Sequence, residues 1–106
     1  MSGSAGELAL TVDVVGTITV IRPIGDLDMH ASGRLLDVVE SHLGGACRRV
    51  ELDGSRLGFV DSAGLRSLVQ AHEAAVAADR TFAVVEASDA LRKVLSITGL
   101  DDLLTA

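Results

Sequence analysis

Residues 59–65 read Phe-Val-Asp-Ser-Ala-Gly-Leu, so an apolar pair leads through Asp-Ser into a segment whose apolar residues follow helical spacing. The members of that helical stripe are Leu65, Leu68, Val69 and Val76. Because serine accepts hydrogen bonds from the first free amides of a helix, we predict that a helix begins here with Ser62 at or beside its N-cap. Gly64 is expected to allow close packing in the first turn.

Toward the N-terminus the sequence predicts a pair of strands. Between Leu8 and Val14 apolar residues alternate with small or polar ones, as in a strand with one buried face. Gly16 offers a turn, and the β-branched run at 17–21 predicts a second strand that forms a hairpin with the first. Pro23 is expected at an edge or a strand end, because it cannot donate to a ladder of strand hydrogen bonds.

Helices and strands alternate in the rest of the predicted fold. A helix over 35–43 is followed by a strand around 50–52, a loop at 53–55 and the helix at Ser62. A strand over 82–85 comes next, and then a helix capped by Ser88 and ended by Gly99, with a possible last strand at Leu103-Leu104. This alternation predicts an α/β fold, with a small mixed, largely parallel β-sheet, an N-terminal hairpin and helices packed on the sheet.

Length and charge narrow the function classes. The 106 residues suit one domain over 7–106 behind a flexible leader at 1–6. A net charge of −6 and the lack of Tyr and Trp argue against direct nucleic-acid binding. Cys47 is the only cysteine, no basic residue precedes Arg22, and no long apolar run is present, so we expect a cytoplasmic chain without a disulfide or a membrane span.

The usual signatures of enzymes are missing from the sequence. Neither a dinucleotide-binding nor a P-loop glycine pattern occurs, and Val60 stands where a nucleophile elbow around Ser62 would need glycine. The histidines His30, His42 and His72 share no metal-ligand spacing with Cys47. We therefore expect no catalytic residue, no cofactor and no metal.

Two polar clusters remain as candidate sites. In the first, Asp28 is interpreted as an N-cap of the next helix and Asp26 as a solvated loop charge, with a carboxylate pair for acid-base or metal chemistry as the alternative. In the second, a phosphate on Ser62 would be favoured by free amides and the helix dipole, and would add charge beside Asp61. If parallel strands carry both loops, Asp28 is expected near Ser62.

The residues of these clusters resemble the STAS domain, and in particular the free-standing bacterial anti-anti-sigma factors. The resemblance rests on Gly25-Asp26-Leu27-Asp28, on Leu57-Gly58 with the stretch at 59–65, and on Leu95-Ser96-Ile97-Thr98-Gly99-Leu100. It extends from about Leu8 to Leu104. The family often has Ser or Thr where this chain has Ala63, and a polar residue where it has Gly58.

The resemblance implies a partner-switching role without enzyme activity. Such a protein, when unphosphorylated, binds an anti-sigma factor that is also a serine kinase, and so releases a sigma factor. The kinase inactivates it by phosphorylating the residue that corresponds to Ser62, and a metal-dependent serine/threonine phosphatase restores it. The implied partner-binding residues are Asp28, Asp61, Ser62, Ala63 and Gly64. The alternative is a STAS regulatory subunit of a transporter, a lipid-export complex or a sensory assembly.

Overall fold

The computed structural model describes residues 7–105, so the predicted leader at 1–6 lies outside the described residues, as does Ala106. Two strands come first, and helices and strands follow. The elements are β1 (Ala9–Val15), β2 (Ile18–Leu27), α1 (Ser32–Ser41), β3 (Arg49–Gly54), β4 (Leu57–Val60), α2 (Ser62–Ala77), β5 (Thr81–Ala87), α3 (Asp89–Thr98) and α4 (Asp101–Leu104).

The sheet has the order β1-β2-β3-β5, and β4 adds to β2 beyond the end of β3. β1 and β2 form the predicted antiparallel hairpin, with Val15 opposite Ile18. The other pairs, β2 with β3, β2 with β4 and β3 with β5, are all parallel. The predicted fold class is therefore confirmed: a small, mixed, largely parallel sheet with an N-terminal hairpin and packed helices.

The helices cover one face of this sheet. Alternate residues of β2 and β3 are fully buried, Ile21 and Leu52 among them, and they pack with Leu35 of α1, Leu68 of α2 and Leu91 of α3 in one aliphatic core. Burial of such side chains is the main favourable term in folding. Within the described residues, no helix is both long and apolar enough to cross a membrane.

The opposite face of the sheet is open and charged. Arg22 of β2 forms ion pairs with Asp13 of β1 and Asp53 of β3, and Arg49 pairs with Glu51. These side chains stand at the positions between the buried ones, as the period of two in a strand requires. The sheet therefore presents an apolar face to the helices and a polar face to the surroundings.

Several predictions about the elements are wrong. The segment Leu57–Val60 forms the short strand β4, which was not predicted. The possible last strand at Leu103-Leu104 is instead the end of α4, after which Thr105 bridges to Val84 of β5. On α2, Leu65 and Leu68 are buried as predicted, but Val76 is 62% exposed, and the buried residues in the second half of the helix are Ala71 and Ala75.

Pro23 also departs from its prediction, because it lies inside β2 and opposite Leu10 of β1. On the side away from β1, β2 pairs with β3 as far as Ile21 and with β4 from Gly25 onward. The residues between these two points, Pro23 among them, lie beside a gap in the sheet. The Gly25 amide points toward β4, since it donates to the carbonyl oxygen of Arg56 at 3.2 Å. Strand amides alternate sides, so the nitrogen of Pro23 faces the same gap, where an N–H would have no strand partner.

The predicted boundaries of the third helix are confirmed. Ser88 is the N-cap of α3, and its hydroxyl oxygen accepts a hydrogen bond from the Leu91 amide at 3.2 Å. Gly99 is the C-cap, with a left-handed φ of 71° that favours glycine. Local sequence signals therefore fix both ends of this helix.

The Ser88 cap gives a direct test of these local interactions. Ser88→Ala should lower the free energy of unfolding by about 1 kcal/mol, because the Leu91 amide loses its acceptor. Ser96→Ala, the same change at an exposed site within α3, should raise it by about 0.3 kcal/mol through helix propensity. Urea denaturation of both variants measures the difference, and equal effects would contradict the assigned cap.

Candidate functional site

The two sequence clusters meet where β2 and β4 end side by side. Leu27 is the register partner of Val60 in this parallel pair, so the residues that follow them are neighbours. The Asp61 amide donates to the carbonyl oxygen of Leu27 at 3.2 Å. Because both strands run in the same direction, the loop after β2 and the first turn of α2 lie at one edge of the sheet.

Asp61 ties this edge together through both of its carboxylate oxygens. It is the N-cap of α2, and Oδ1 accepts from the Gly64 amide at 2.7 Å. Its Oδ2 accepts from the Met29 amide at 3.1 Å, across the gap to the loop after β2. Ser62 is thus beside the N-cap, as the sequence predicted. The capping role of Asp61 was missed, although Asp is a preferred N-cap residue.

Asp28 does not cap α1, so that interpretation is wrong. Its Oδ1 accepts from the amides of His30 at 3.0 Å and Ala31 at 3.1 Å, which makes it the acceptor of a tight turn. Helix α1 begins later, at Ser32, with Ala31 as its N-cap and no side-chain capping bond. The turn at 28–31 separates the acidic cluster from the helix that it was expected to start.

Asp26 is also misassigned as a loop charge, because it lies in β2 opposite Phe59 of β4. Its Oδ1 stands 3.1 Å from the point that a Cβ on Gly58 would occupy. A larger residue at Gly58 would therefore press on this carboxylate. Among residues 7–105, no group of three side chains is arranged to hold a metal ion, so the geometry gives no support to the metal form of the carboxylate-pair alternative.

Ser62 is the first residue of α2, and its side chain is exposed. The first amides of a helix have no partner within the helix. Here the Gly64 amide donates to the Asp61 side chain and the Leu65 amide to the Asp61 carbonyl oxygen, at 2.9 Å. No acceptor among residues 7–105 bonds to the amides of Ser62 and Ala63, which are thus the uncommitted donors of the first turn in the described structure.

Gly64 explains why α2 can begin so close to the sheet. A Cβ at this position would overlap the carbonyl oxygen of Leu27 and lie 2.8 Å from its carbonyl carbon. Gly64 is buried, as the predicted close packing requires. Its contribution to the site is therefore the close approach itself, which brings Ser62 to the edge of β2.

Two exposed apolar residues flank the polar cluster and were missed as candidate site residues. Met29 follows Asp28 and is 68% exposed, and Phe59 precedes Asp61 by two residues and is 53% exposed. The sequence contains a feature that could have indicated each residue. Met29 lies between polar residues in a loop, and Phe59 is one of only two aromatic residues, both Phe, in the sequence. We define the Ser62 surface as Met29, Phe59, Asp28, Asp61 and Ser62.

Comparison with known proteins agrees with this geometry. A family model described as "Mlab, STAS domain" matches residues 10–105. This range includes all five strands, except for the first residue of β1. The chain belongs to the STAS domain family. The predicted resemblance is therefore confirmed over nearly the whole sequence.

Solved structures of STAS proteins are similar to this chain. The unphosphorylated anti-sigma factor antagonist SpoIIAA superposes with a TM-score of 0.77 at 25% identity, covering 92% of this chain and 86% of SpoIIAA. An anti-sigma factor antagonist from Mycobacterium paratuberculosis gives a TM-score of 0.83 at 22% identity, covering 97% and 87%. The second likeness, at its lower identity, shows the fold alone.

The same fold occurs within a transporter. The murine anion transporter Slc26a9 gives a TM-score of 0.71 at 16% identity, and the match covers 85% of this chain and 15% of the transporter. No curated protein sequence matches this chain closely enough to add to these likenesses. The STAS fold therefore leaves the biological role to be argued from the site.

The close approach at Gly64 can be tested by a matched pair of glycine variants. Gly64→Ala should lower the free energy of unfolding by about 3 kcal/mol, because backbone atoms of Leu27 block the new methyl group. Gly33→Ala in α1 should raise it by about 0.5 kcal/mol, since nothing lies within 4 Å of the new Cβ. Denaturant unfolding measures both, and a neutral Gly64→Ala would contradict the packing described here.

Proposed function

We propose that this STAS protein is an anti-sigma factor antagonist whose activity is controlled by phosphorylation of Ser62. In its unphosphorylated form it binds an anti-sigma factor that is also a serine kinase, and the sigma factor is released. The observation that carries the proposal is the exposed Ser62 hydroxyl at the first position of α2, beside the capping carboxylate of Asp61. Solved structures of SpoIIAA in unphosphorylated and phosphorylated forms support it.

The Ser62 surface has the chemistry of a protein-binding site. Exposed aromatic and methionine side chains are enriched in the centres of protein interfaces, and Phe59 and Met29 supply one of each. Asp28 and Asp61 have oxygens committed to backbone amides, so both carboxylates are held in fixed positions. A partner therefore meets apolar contacts beside rigid negative charges, and complementary positive charge on the partner would set its orientation.

A phosphate on Ser62 would change this surface in two ways. It adds between about one and a half and two negative charges at neutral pH, beside the charge of Asp61. Its oxygens could also accept hydrogen bonds from the uncommitted amides of Ser62 and Ala63 at the helix N-terminus, where the helix dipole favours an anion. The phosphorylated form is thus locally stable, and the partner meets a bulkier and more acidic surface.

Catalysis in this scheme belongs to the partners. The anti-sigma factor supplies the kinase activity, and a metal-dependent serine/threonine phosphatase removes the phosphate. This chain acts as ligand and substrate through Asp28, Asp61, Ser62, Ala63 and Gly64, with no cofactor or metal of its own. It acts in the cytoplasm and influences transcription without contacting DNA, in keeping with its net charge of −6.

A second candidate role is a STAS regulatory subunit of a transporter, a lipid-export complex or a sensory assembly. The likeness in fold to a segment of Slc26a9 is the observation that favours it. In that role a permease or an ATPase would co-purify with the chain, and Ser62 would carry no phosphate. Affinity capture from the host, followed by mass spectrometry of the partners and of Ser62, separates the two roles.

The phosphorylation site has a direct test with the anti-sigma factor kinase of the same organism and ATP. The wild-type chain should take up one phosphate, and Ser62→Ala should take up none, because the hydroxyl acceptor is gone. Ser55→Ala removes another exposed serine that lies beside an aspartate-anchored turn, and it should be phosphorylated as the wild type is. Phosphotransfer is measured by intact-mass spectrometry.

The switch itself is tested by binding. Phosphorylated protein, or Ser62→Asp as an imperfect mimic, should bind the kinase at least about tenfold more weakly than the unmodified chain. Isothermal titration calorimetry measures the affinities. Phosphorylation of Ser62→Ala, or unchanged affinity after phosphorylation at Ser62, would contradict the proposal.

The apolar part of the Ser62 surface can be tested separately. Phe59→Ala should weaken binding of the kinase about tenfold, because a half-exposed aromatic at the centre of an interface is a typical hot spot. Val76→Ala is the matched control, since Val76 is 62% exposed and lies 14 residues along α2 from Ser62, about 21 Å away. Equal affinities for the two variants would exclude Phe59 from the interface.

A further inference from the structure

The open face of the sheet contains a cavity that is separate from the Ser62 surface. Its volume is about 310 Å³, near the lower end of the range for small-molecule sites. The lining residues are Thr11, Arg22, Pro23, Ile24, Asp53, Ser55 and Arg56. They come from β1, β2, β3 and the turn before β4, so four segments of the fold surround one space.

The cavity exists because β2 changes partners. β3 pairs with β2 only as far as Ile21, and β4 begins to pair only at Gly25. Over the residues between them the sheet has a gap on that side, and the turn that joins β3 to β4 forms its far wall. Small-molecule sites in proteins are concave and largely pre-formed, and this gap gives the open face such a concavity.

The two arginines of the cavity differ in what they bind. Arg22 forms ion pairs with Asp13 and with Asp53, so its guanidinium is already matched. The Arg56 side chain is exposed and makes no hydrogen bond or ion pair to any of residues 7–105. Its guanidinium is therefore the cationic donor at this cavity that is left for a ligand, and its planar fork fits a carboxylate.

The charge of the lining suits a single negative charge on the ligand. Asp13 and Asp53 both pair with Arg22, so Arg56 is the cationic side chain of the cavity without an ion-pair partner among residues 7–105, in a chain whose net charge is −6. The Ser55 hydroxyl donates to Asp53 at 2.7 Å, and this bond, with further help from the Ser55 amide and from Arg22 and Arg56, lowers the pKa of Asp53 below its usual value. Asp53 is thus ionised at neutral pH and would repel a second negative charge.

An apolar wall completes the cavity. Ile24 is 40% exposed beside it, and Pro23 forms part of the lining, so a hydrocarbon group could be covered there. The hydroxyl of Thr11 adds a neutral hydrogen-bonding group. We propose that this cavity binds a small organic monocarboxylate, with its carboxylate on Arg56 and its apolar body against Ile24.

The test uses benzoate as the probe and the intact, isotope-labelled chain in NMR titrations. Benzoate should cause saturable shifts of the Ser55 and Arg56 amide signals, and benzamide, its neutral isostere, should bind at least about tenfold more weakly. Arg56→Gln should weaken benzoate binding to the same degree. Arg48→Gln removes an exposed arginine that precedes β3 and should leave binding unchanged.

Further variants and probes keep the outcome clear. Arg56→Lys keeps the charge and loses the planar fork, so benzoate should bind it with an affinity between those of the wild type and Arg56→Gln. Three results would overturn the proposal: no saturation with benzoate, equal binding of benzoate to the wild type and Arg56→Gln, or tighter binding of inorganic phosphate than of benzoate. None of these variants or probes changes the Ser62 surface, so the result of the test does not depend on the proposed anti-sigma role.

Discussion

The close approach of α2 to the end of β2 is the constraint on which the candidate site depends. The carbonyl oxygen of Leu27 accepts from the Asp61 amide, and Gly64 packs on the same carbonyl group with no room for a Cβ. Asp61 then caps α2 and reaches across to the Met29 amide. These contacts join β2, β4 and α2 at one point, and the close approach that Gly64 allows sets the position of Ser62.

A second consequence follows from the same strand. β2 is long enough to pair with β3 over its first half and with β4 over its second, and its register with β4 shifts directly after Gly25, which has a φ of 119°. That φ is in the region that favours glycine. The second half of β2 carries Asp26 and Leu27 to the Ser62 surface. The gap between its halves opens the cavity beside Arg56, so both candidate sites arise from one change of partner.

The sequence predicted the elements that local rules determine and missed those that depend on distant partners. The hairpin, the start of α2 and both ends of α3 follow from alternation, capping residues and a terminal glycine. β4 has only four residues, too few for a periodic pattern, and it is a strand because β2 lies beside it. Asp28 precedes a helix in sequence, but the turn at 28–31 intervenes, which no spacing rule indicates. Pro23 is tolerated because of the gap beside β2, a feature of the sheet as a whole.

The arrangement of charge also sharpens what a phosphate at Ser62 would do. The acidic residues of the Ser62 surface are not free to respond, because Asp61 binds two amides and Asp28 binds two others. Carboxylates that accept hydrogen bonds from backbone amides are held in one position. Because these carboxylates cannot move away from a phosphate on Ser62, the added negative charge would stay close to theirs. The phosphate would therefore add charge and bulk beside carboxylates that stay in place, and positive and apolar groups of a partner that match the unmodified surface would meet it there.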